Sequence, residues 1–520
     1  MVAPSRRQER GHLGVAGWGR IFLDAPKSLA TLYIAQPTQP DDTHRLTCSV
    51  SRIDVLMATS RSGFSSRLGF VAAAAGSAVG LGNIWRFPYE TGENGGAAFL
   101  LIYLICTVLI GFPIMVGEIS LGRHTQSNPF GAYRQVGGRS WGLAGLFGIL
   151  CGVMILSFYN VVAGWAFGYF VQIVFGDLLQ AGDFGQYFGT YVANVGDNLL
   201  YSLAFMVITA VVVARGVQDG IESAAKFLMP MLFVILLGLI GYALTLDNAM
   251  AGVSFYLVPD LSKVSLATVY SAMGQAFFSL SLGLGALITY GSYIDKQEDI
   301  ISSAAIVTAA DFSVAFLSGL LIFPLVFSQG QEPNSGPGLV FIALPGIFEA
   351  MGPLVGKIVG ASFFLLLCVA ALTSTISLLE VPASYLVDER KWPRKTVVAG
   401  LAALIFLLGL PSMLSQGAVD LFSAGGFLHY EGTDKSFLDL VDDVFNTTGL
   451  PLGGFLLSLF VAFRWTTAGM AQEILVGNPG YVGSAMQRFL DIMITAICPV
   501  VLGLISLLTI LSKFFGVNVI

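Results

Sequence analysis

From about residue 66 onward the chain is a succession of eleven apolar runs. They lie near 66–91, 97–121, 141–174, 197–214, 221–245, 265–292, 299–328, 354–387, 396–412, 438–463 and 489–512. Each is close to the roughly 20 residues that a helix needs to cross a bilayer. Few folds survive that pattern. In lipid every backbone N–H and C=O must be satisfied within the protein, so such a chain crosses as helices. Composition agrees: 11% of the residues are charged, against roughly 25% in a soluble protein. The expected fold is an all-α polytopic membrane domain of about eleven transmembrane helices.

Charge placement then orients it. Arg123, Arg134 and Arg139 lie between the second and third runs, Arg215 between the fourth and fifth, and Arg390, Lys391, Arg394 and Lys395 between the eighth and ninth. The connection between the third and fourth runs carries Asp177 and Asp183, with Asp197 at its end, and no Lys or Arg. Basic loops face the cytoplasm, so the N-terminus is expected inside a plasma (inner) membrane and Ile520 outside. Cys48, Cys106, Cys151, Cys368 and Cys498 are scattered without metal or CxxC spacing, and the four histidines form no cluster. Neither a cofactor, a metal centre, a hydrolase triad nor a nucleic-acid partner is suggested. Residues 1–56 are mixed in charge and lack a signal-peptide core. They read either as an upstream over-extension of the reading frame, with Met57 the natural start, or as a disordered tail. Residues 57–520 are the expected membrane domain.

One run departs from a plain membrane helix. In Ala72–Pro88, AAAAGSAVGLGNIWRFP, glycines 76, 80 and 82 loosen the backbone mid-span, Ser77 and Asn83 are polar, and Arg86 is charged. Gly76-x-x-x-Gly80 alone could be a small-residue packing motif. Asn83 and Arg86 tip the reading toward function, because intramembrane polar and charged groups are costly. An unwound segment offers carbonyls to a cation and N–H groups to a carboxylate. Gly80-Leu81-Gly82 returns as Gly283-Leu284-Gly285 in the sixth run, five spans later and hence entering from the opposite side. Paired interrupted spans in inverted halves, here about 66–245 and 265–463, point to a mid-membrane site, with 489–512 as an extra helix.

The chain resembles the neurotransmitter:sodium symporter family in its bacterial amino-acid-transporter branch. The motifs are GSAVGLGNIWRFPYETGENGGAAF (76–99), FPIMVGEISLGR (112–123), SFYNVVAGW (157–165), GQAFFSLSLGLGALITYGSY (274–293) and LTSTISLLEVPASYLVDE (372–389). The resemblance implies a ten-helix inverted-repeat fold plus one extra helix. It also implies sodium-coupled symport of a neutral, hydrophobic amino acid by alternating access.

One implied sodium site takes carbonyls of Gly76, Val79 and Ala370 and hydroxyls of Thr373 and Ser374. Without the resemblance those hydroxyls would read as back-bonding along a helix. The other takes Ala78, Asn83, Ser279 and Asp311. Many family members carry Asn where Asp311 stands, and animal members add chloride, so the carboxylate implies chloride-independent transport; the plain alternative is that Asp311 caps or pairs near a helix end. The substrate carboxylate is expected at Leu81, Gly82 and Tyr159, and the amino group at Ala78, Phe278 and Ser281. The side-chain pocket is expected from Ile155, Phe278, Leu284, Thr375 and Leu378. Gly80 takes the place of an acid in monoamine members. The implied outer gate is Arg86 with Asp442 under a lid of Phe158 and Phe278. The inner gate is Arg61 with Asp388, near Tyr293; without the resemblance Arg61 and Asp388 read as positive-inside decoration and helix-end solvation. A channel would need a continuous polar pore, and an intramembrane enzyme a convergent catalytic cluster. A sensor that binds the amino acid without turnover is the remaining rival. The oligomeric state is left open.

Overall fold

A computed structural model describes residues 63–330, 338–430 and 432–516. The segment 1–56 and Arg61 lie outside them. The described chain is mostly helical, with one short hairpin of β1 (His429–Tyr430) and β2 (Thr433–Asp434).

The first span is two half-helices, α1 (Arg67–Ala78) and α2 (Gly82–Glu93), bent by 47° where they meet. α3 (Ala97–Thr125), the short α4 (Pro129–Gly137) and α5 (Gly142–Phe175) follow. α6 (Phe184–Ala193) leads into α7 (Val195–Ala214) and α8 (Val217–Ala243). After α9 (Ala249–Leu257) comes a second interrupted span, α10 (Leu266–Ser279) and α11 (Ala286–Gly291). The rest are α12 (Ile300–Ser328), α13 (Leu339–Ala350), α14 (Pro353–Arg390), α15 (Arg394–Leu414), α16 (Phe437–Trp465), α17 (Thr467–Gly477) and α18 (Ala485–Phe515).

Among the described residues nine helices are long and apolar enough to cross a membrane, and the α1–α2 pair makes a tenth. The α10–α11 segment lies where the sixth run was expected, so the eleven runs map onto the structure in order. Their order and the two interruptions match the expected all-α inverted-repeat arrangement, with one helix added at its C-terminal end. The connections between the runs hold the short helices α4, α6, α9, α13 and α17. Their helicity comes from packing that periodicity does not reveal: Tyr256 of α9 is fully buried and donates to the Phe316 carbonyl on α12 at 3.1 Å.

The helix starts are written locally. Ser66 caps α1 by accepting from the Gly69 amide at 3.1 Å, and Ser265 with Thr268 forms a capping box at α10, satisfying N–H groups that a helix leaves open. Burial orders the spans from centre to rim. The apolar window of α5 is 72% buried and that of α18 only 28%, so α5 is a core helix and α18 lies at the rim. Small residues allow the closest approaches. A Cβ on Gly164 of α5 would lie 2.9 Å from the Ser202 backbone of α7.

Candidate functional site

Both interrupted spans break at the middle of the bundle, for different local reasons. α1 ends at Ala78, and Val79 turns extended with φ −75° and ψ 108°. In the second break Ser281, Gly283 and Gly285 all take positive φ, at 54°, 83° and 84°. That conformation suits glycine and strains Ser281. Ser281 is held by its hydroxyl, which donates to the Ser77 carbonyl at 2.8 Å. The Gly283 amide donates to Glu118 Oε1 at 2.7 Å. Glu118 is buried on α3, and its other oxygen has no hydrogen-bond partner among the described residues.

Asn83, Ser279 and Asp311, which the resemblance groups, converge. Asn83 Nδ2 donates to Asp311 Oδ1 at 2.7 Å and to Ser279 Oγ at 2.9 Å. Ser279 Oγ donates to Asp311 Oδ1 at 2.7 Å. Asn83 Oδ1 accepts from the Gly80 amide at 2.9 Å, tying the cluster to the break in the first span. Tyr103 of α3, which the sequence reading missed, donates to Asp311 Oδ2 at 3.1 Å. The Asp311 carboxylate is fully buried, and its side-chain donors are all neutral.

A second cluster joins α1 to α14. Thr373 Oγ1 lies 3.1 Å from the Val79 carbonyl and 2.9 Å from that of Ala370. The second contact is back-bonding along its own helix; the first crosses to the unwound chain. A Cβ on Gly76 would come 3.3 Å from Thr373 Cβ, so α1 and α14 touch here. Ser374 Oγ reaches the Ser77 carbonyl at 3.4 Å.

Between the clusters lies a tight cavity of about 20 Å³. Ala78, Gly82, Ile155, Tyr159, Phe278, Ser281, Leu284 and Leu378 line it, joined by Ser77, Gly80, Ser374 and Leu450. Leu81 meets it through its amide, which donates to the Tyr159 hydroxyl at 2.9 Å. Thr375 does not line it. One residue beyond Ser374 it has turned about 100° round α14, and its hydroxyl pairs with Thr209 of α7 at 2.8 Å. Gln275, also missed, donates to the Gly82 carbonyl at 2.7 Å.

Above the cavity a vestibule of about 550 Å³ is lined by Arg86, Phe158, Phe278 and Asp442, among others. Phe278 and Tyr159 border both spaces. Arg86 pairs with Glu90 at 3.4 Å and lies 5.1 Å above the Phe278 ring. Its expected partner Asp442 faces the same vestibule and accepts from Asn446 at 2.7 Å. The Arg86–Asp442 pair is not closed in this structure; Arg86 instead meets Glu90, one helical turn away on α2.

At the opposite end Asp388 accepts from the Asn128 amide and side chain, both at 3.2 Å. Tyr293 donates to Glu380 Oε1 at 2.6 Å. Arg394 pairs with the fully buried Glu380 at 2.5 Å. Counting Arg394 among the basic loop residues hid this role. An acid inside an apolar run, as Glu118 and Glu380 are, was the signal that could have found both.

The sodium:neurotransmitter symporter family model matches residues 61–181 and 187–513. YhdH, an uncharacterized sodium-dependent transporter of Bacillus subtilis (strain 168), is 40% identical over 456 residues, 86% of this chain and 98% of its own. MJ1319, an uncharacterized sodium-dependent transporter of Methanocaldococcus jannaschii, is 31% identical over 431 residues, 79% of this chain and 82% of its own. The crystal structure of MhsT in complex with L-phenylalanine superposes with a TM-score of 0.79 at 42% identity, covering 86% of this chain and 99% of that one. The chain belongs to the sodium:neurotransmitter symporter family and is a multi-pass, sodium-coupled membrane transporter, not an enzyme.

Proposed function

We propose that this transporter carries a neutral, hydrophobic α-amino acid together with sodium and needs no chloride. The observation that carries the substrate class is the lining of the central cavity. It combines a polar part, Tyr159 (which accepts from the Leu81 amide), Ser281 and Ser374, with the apolar Ile155, Phe278, Leu284 and Leu378. No charged side chain lines it. A carboxylate at the polar part would find the loosened amides of the first span and a neighbouring sodium. An acidic or basic side chain at the apolar part would find no partner and pay the cost of a buried charge. A Cβ on Gly80 would sit 2.8 Å from the Tyr159 hydroxyl, so there is no room for an acid to pair with a decarboxylated amine. Phe278 separates the cavity from the vestibule, and its movement would join the two into a space that holds an amino acid. The MhsT relative was crystallised with L-phenylalanine, which suits the same lining.

Asp311 supports the ion reading. A buried carboxylate with only neutral donors is unbalanced unless a cation joins it. With the negative charge covalently present, no anion has to be recruited. In this reading one sodium lies among Ala78, Asn83, Ser279 and Asp311, and the other among Gly76, Val79, Ala370, Thr373 and Ser374. Arg86 with Asp442 and the ring of Phe158 close the outer side; Arg61, Asp388 and Tyr293 close the inner. Residues 57–520 form the transport unit, placed in the inner membrane with a cytoplasmic N-terminus.

Radiolabelled uptake into proteoliposomes tests this. Leucine, tryptophan, alanine and glutamate are compared with and without a sodium gradient, in chloride and in gluconate. Sodium-driven uptake of the neutral amino acids that survives in gluconate is expected. Binding without uptake or counterflow, from folded protein, would favour a sensor. Loss of uptake in gluconate would end the chloride-independent reading.

A further inference from the structure

Three acids crowd the outer turns of α16, and each has a different task. Asp439 accepts from the Ser436 amide and hydroxyl, both at 2.8 Å, and caps the helix. Asp442 faces the vestibule opposite Arg86. Asp443 is buried and turns the other way, toward the end of the chain. Its Oδ1 lies 3.1 Å from Lys513 Nζ, in the last turn of α18, with side chains 9% and 18% exposed. Its Oδ2 accepts from the Tyr430 hydroxyl at 2.9 Å. The Tyr430 ring stacks on Phe514 at 6.0 Å, and Lys435 lies 5.6 Å over it. The β1–β2 hairpin and the end of α18 therefore hold one residue of α16 from outside. That residue is the immediate neighbour of the vestibule acid.

We propose that Lys513, Asp443 and Tyr430 form a strut that holds the outer end of α16 back, positions Asp442 and sets how readily the vestibule closes. Two observations carry this. First, the strut is formed while the Arg86–Asp442 pair is open. Asp442 and Asp443 are consecutive and point to different sides, so a tilt of α16 that brings Asp442 to Arg86 draws Asp443 away from Lys513. Second, a π-helical stretch, Asp442–Thr448, begins at this point. Such stretches are wide turns found frequently at functional sites. The last span, remote from substrate, thereby acts on access. Lys513, Asp443 and Tyr430 are positioning residues. The proposal rests on the reading that substrate reaches its site through this vestibule.

The test uses a reporter thiol, Val162→Cys, in the vestibule wall on α5, in a chain that also carries Cys48→Ser. The full chain in proteoliposomes is labelled with a membrane-impermeant methanethiosulfonate, with and without sodium. Lys513→Met and Asp443→Asn should slow labelling about fivefold in sodium, the shift that losing one partly buried ion pair gives to a two-state equilibrium. Lys513→Arg should label at the parent rate, and the exchanged pair Lys513→Asp with Asp443→Lys should recover most of it. Tyr430→Phe keeps the ring and the ion pair and should slow labelling about twofold; it stands in if the charge variants do not fold. Parent-like rates and sodium dependence in these variants would overturn the strut, even if their melting temperatures fell. So would an exchanged pair no better than the single changes. Labelling needs no substrate, so it reports on the strut even if amino-acid uptake fails.

Discussion

Gly80 separates binding from folding. It does not take positive φ, so alanine costs the backbone little there. Its methyl group would instead intrude on the cavity, 2.8 Å from the Tyr159 hydroxyl and against Ser374 Oγ. Gly80→Ala should keep a melting temperature close to native and weaken amino-acid binding at least tenfold, about 1.4 kcal/mol, measured by scintillation proximity. Asp311 makes a second prediction at this scale. Asparagine keeps the size and most hydrogen bonds of the carboxylate but removes its charge. Asp311→Asn should cut sodium-driven uptake in gluconate roughly tenfold, with part of it restored by chloride, because the sodium would then lack a counter-charge. Uptake equal to native in gluconate would show that the carboxylate does not balance the ion.

The two Gly-Leu-Gly tripeptides look alike in sequence and differ as elements. In the first span the glycines make room: Gly82 faces the Phe278 ring at 3.1 Å from a built Cβ. In the sixth, Gly283 and Gly285 are needed for backbone shape, and Gly283 also abuts the Leu450 carbonyl of α16. Gly283→Ala should therefore destabilise the whole fold, by roughly 2 kcal/mol or more from strain and collision, seen as lower yield and melting temperature in detergent. A native-like melt would contradict that division of roles.

At α17, the Glu473 carboxylate collects Arg123 at 2.7 Å, Lys296 at 3.1 Å and His124 at 3.1 Å. This ties the connector after α16 to the end of α3. Burial opposes ionisation there, but the hydrogen bonds from His124 and Lys296 and the Arg123 charge outweigh it, and the carboxyl is pulled from 4.5 down to about 2. A folded-state value below the unfolded one stabilises above about pH 4.5 and loses that contribution as pH falls toward 2. Thermal melts should thus fall between about pH 5 and about pH 3 in the native protein and fall less in Glu473→Gln, which should melt lower at pH 7 because Arg123 is left buried without its carboxylate. Parallel pH profiles for the two proteins would count against the latch.

At the scale of the molecule, the legible and the illegible divide along physical lines. The apolar runs dictated the spans, since a bilayer allows a long apolar stretch almost no other structure. The glycine, asparagine and serine interruptions marked the breaks at residues 79–81 and 280–285, because polar groups and loosened backbone in hydrocarbon demand partners. Resemblance then named Asn83, Ser279 and Asp311 as a group, and the fold brings them within hydrogen-bonding distance. Tyr103, Gln275 and Leu450 could not be placed from sequence, because their roles depend on which helix faces which across the bundle. Thr375 was drawn into the pocket by its neighbours in the motif and turned out by helical geometry. The tertiary structure also decided the partners of the charges: Arg86 with Glu90, Arg394 with Glu380 and Lys513 with Asp443. Sequence alone determined that this chain spans a membrane and where it must unwind, because those follow from solvation along the chain. Which acids and bases meet was left to packing, because an ion pair depends on distance in space.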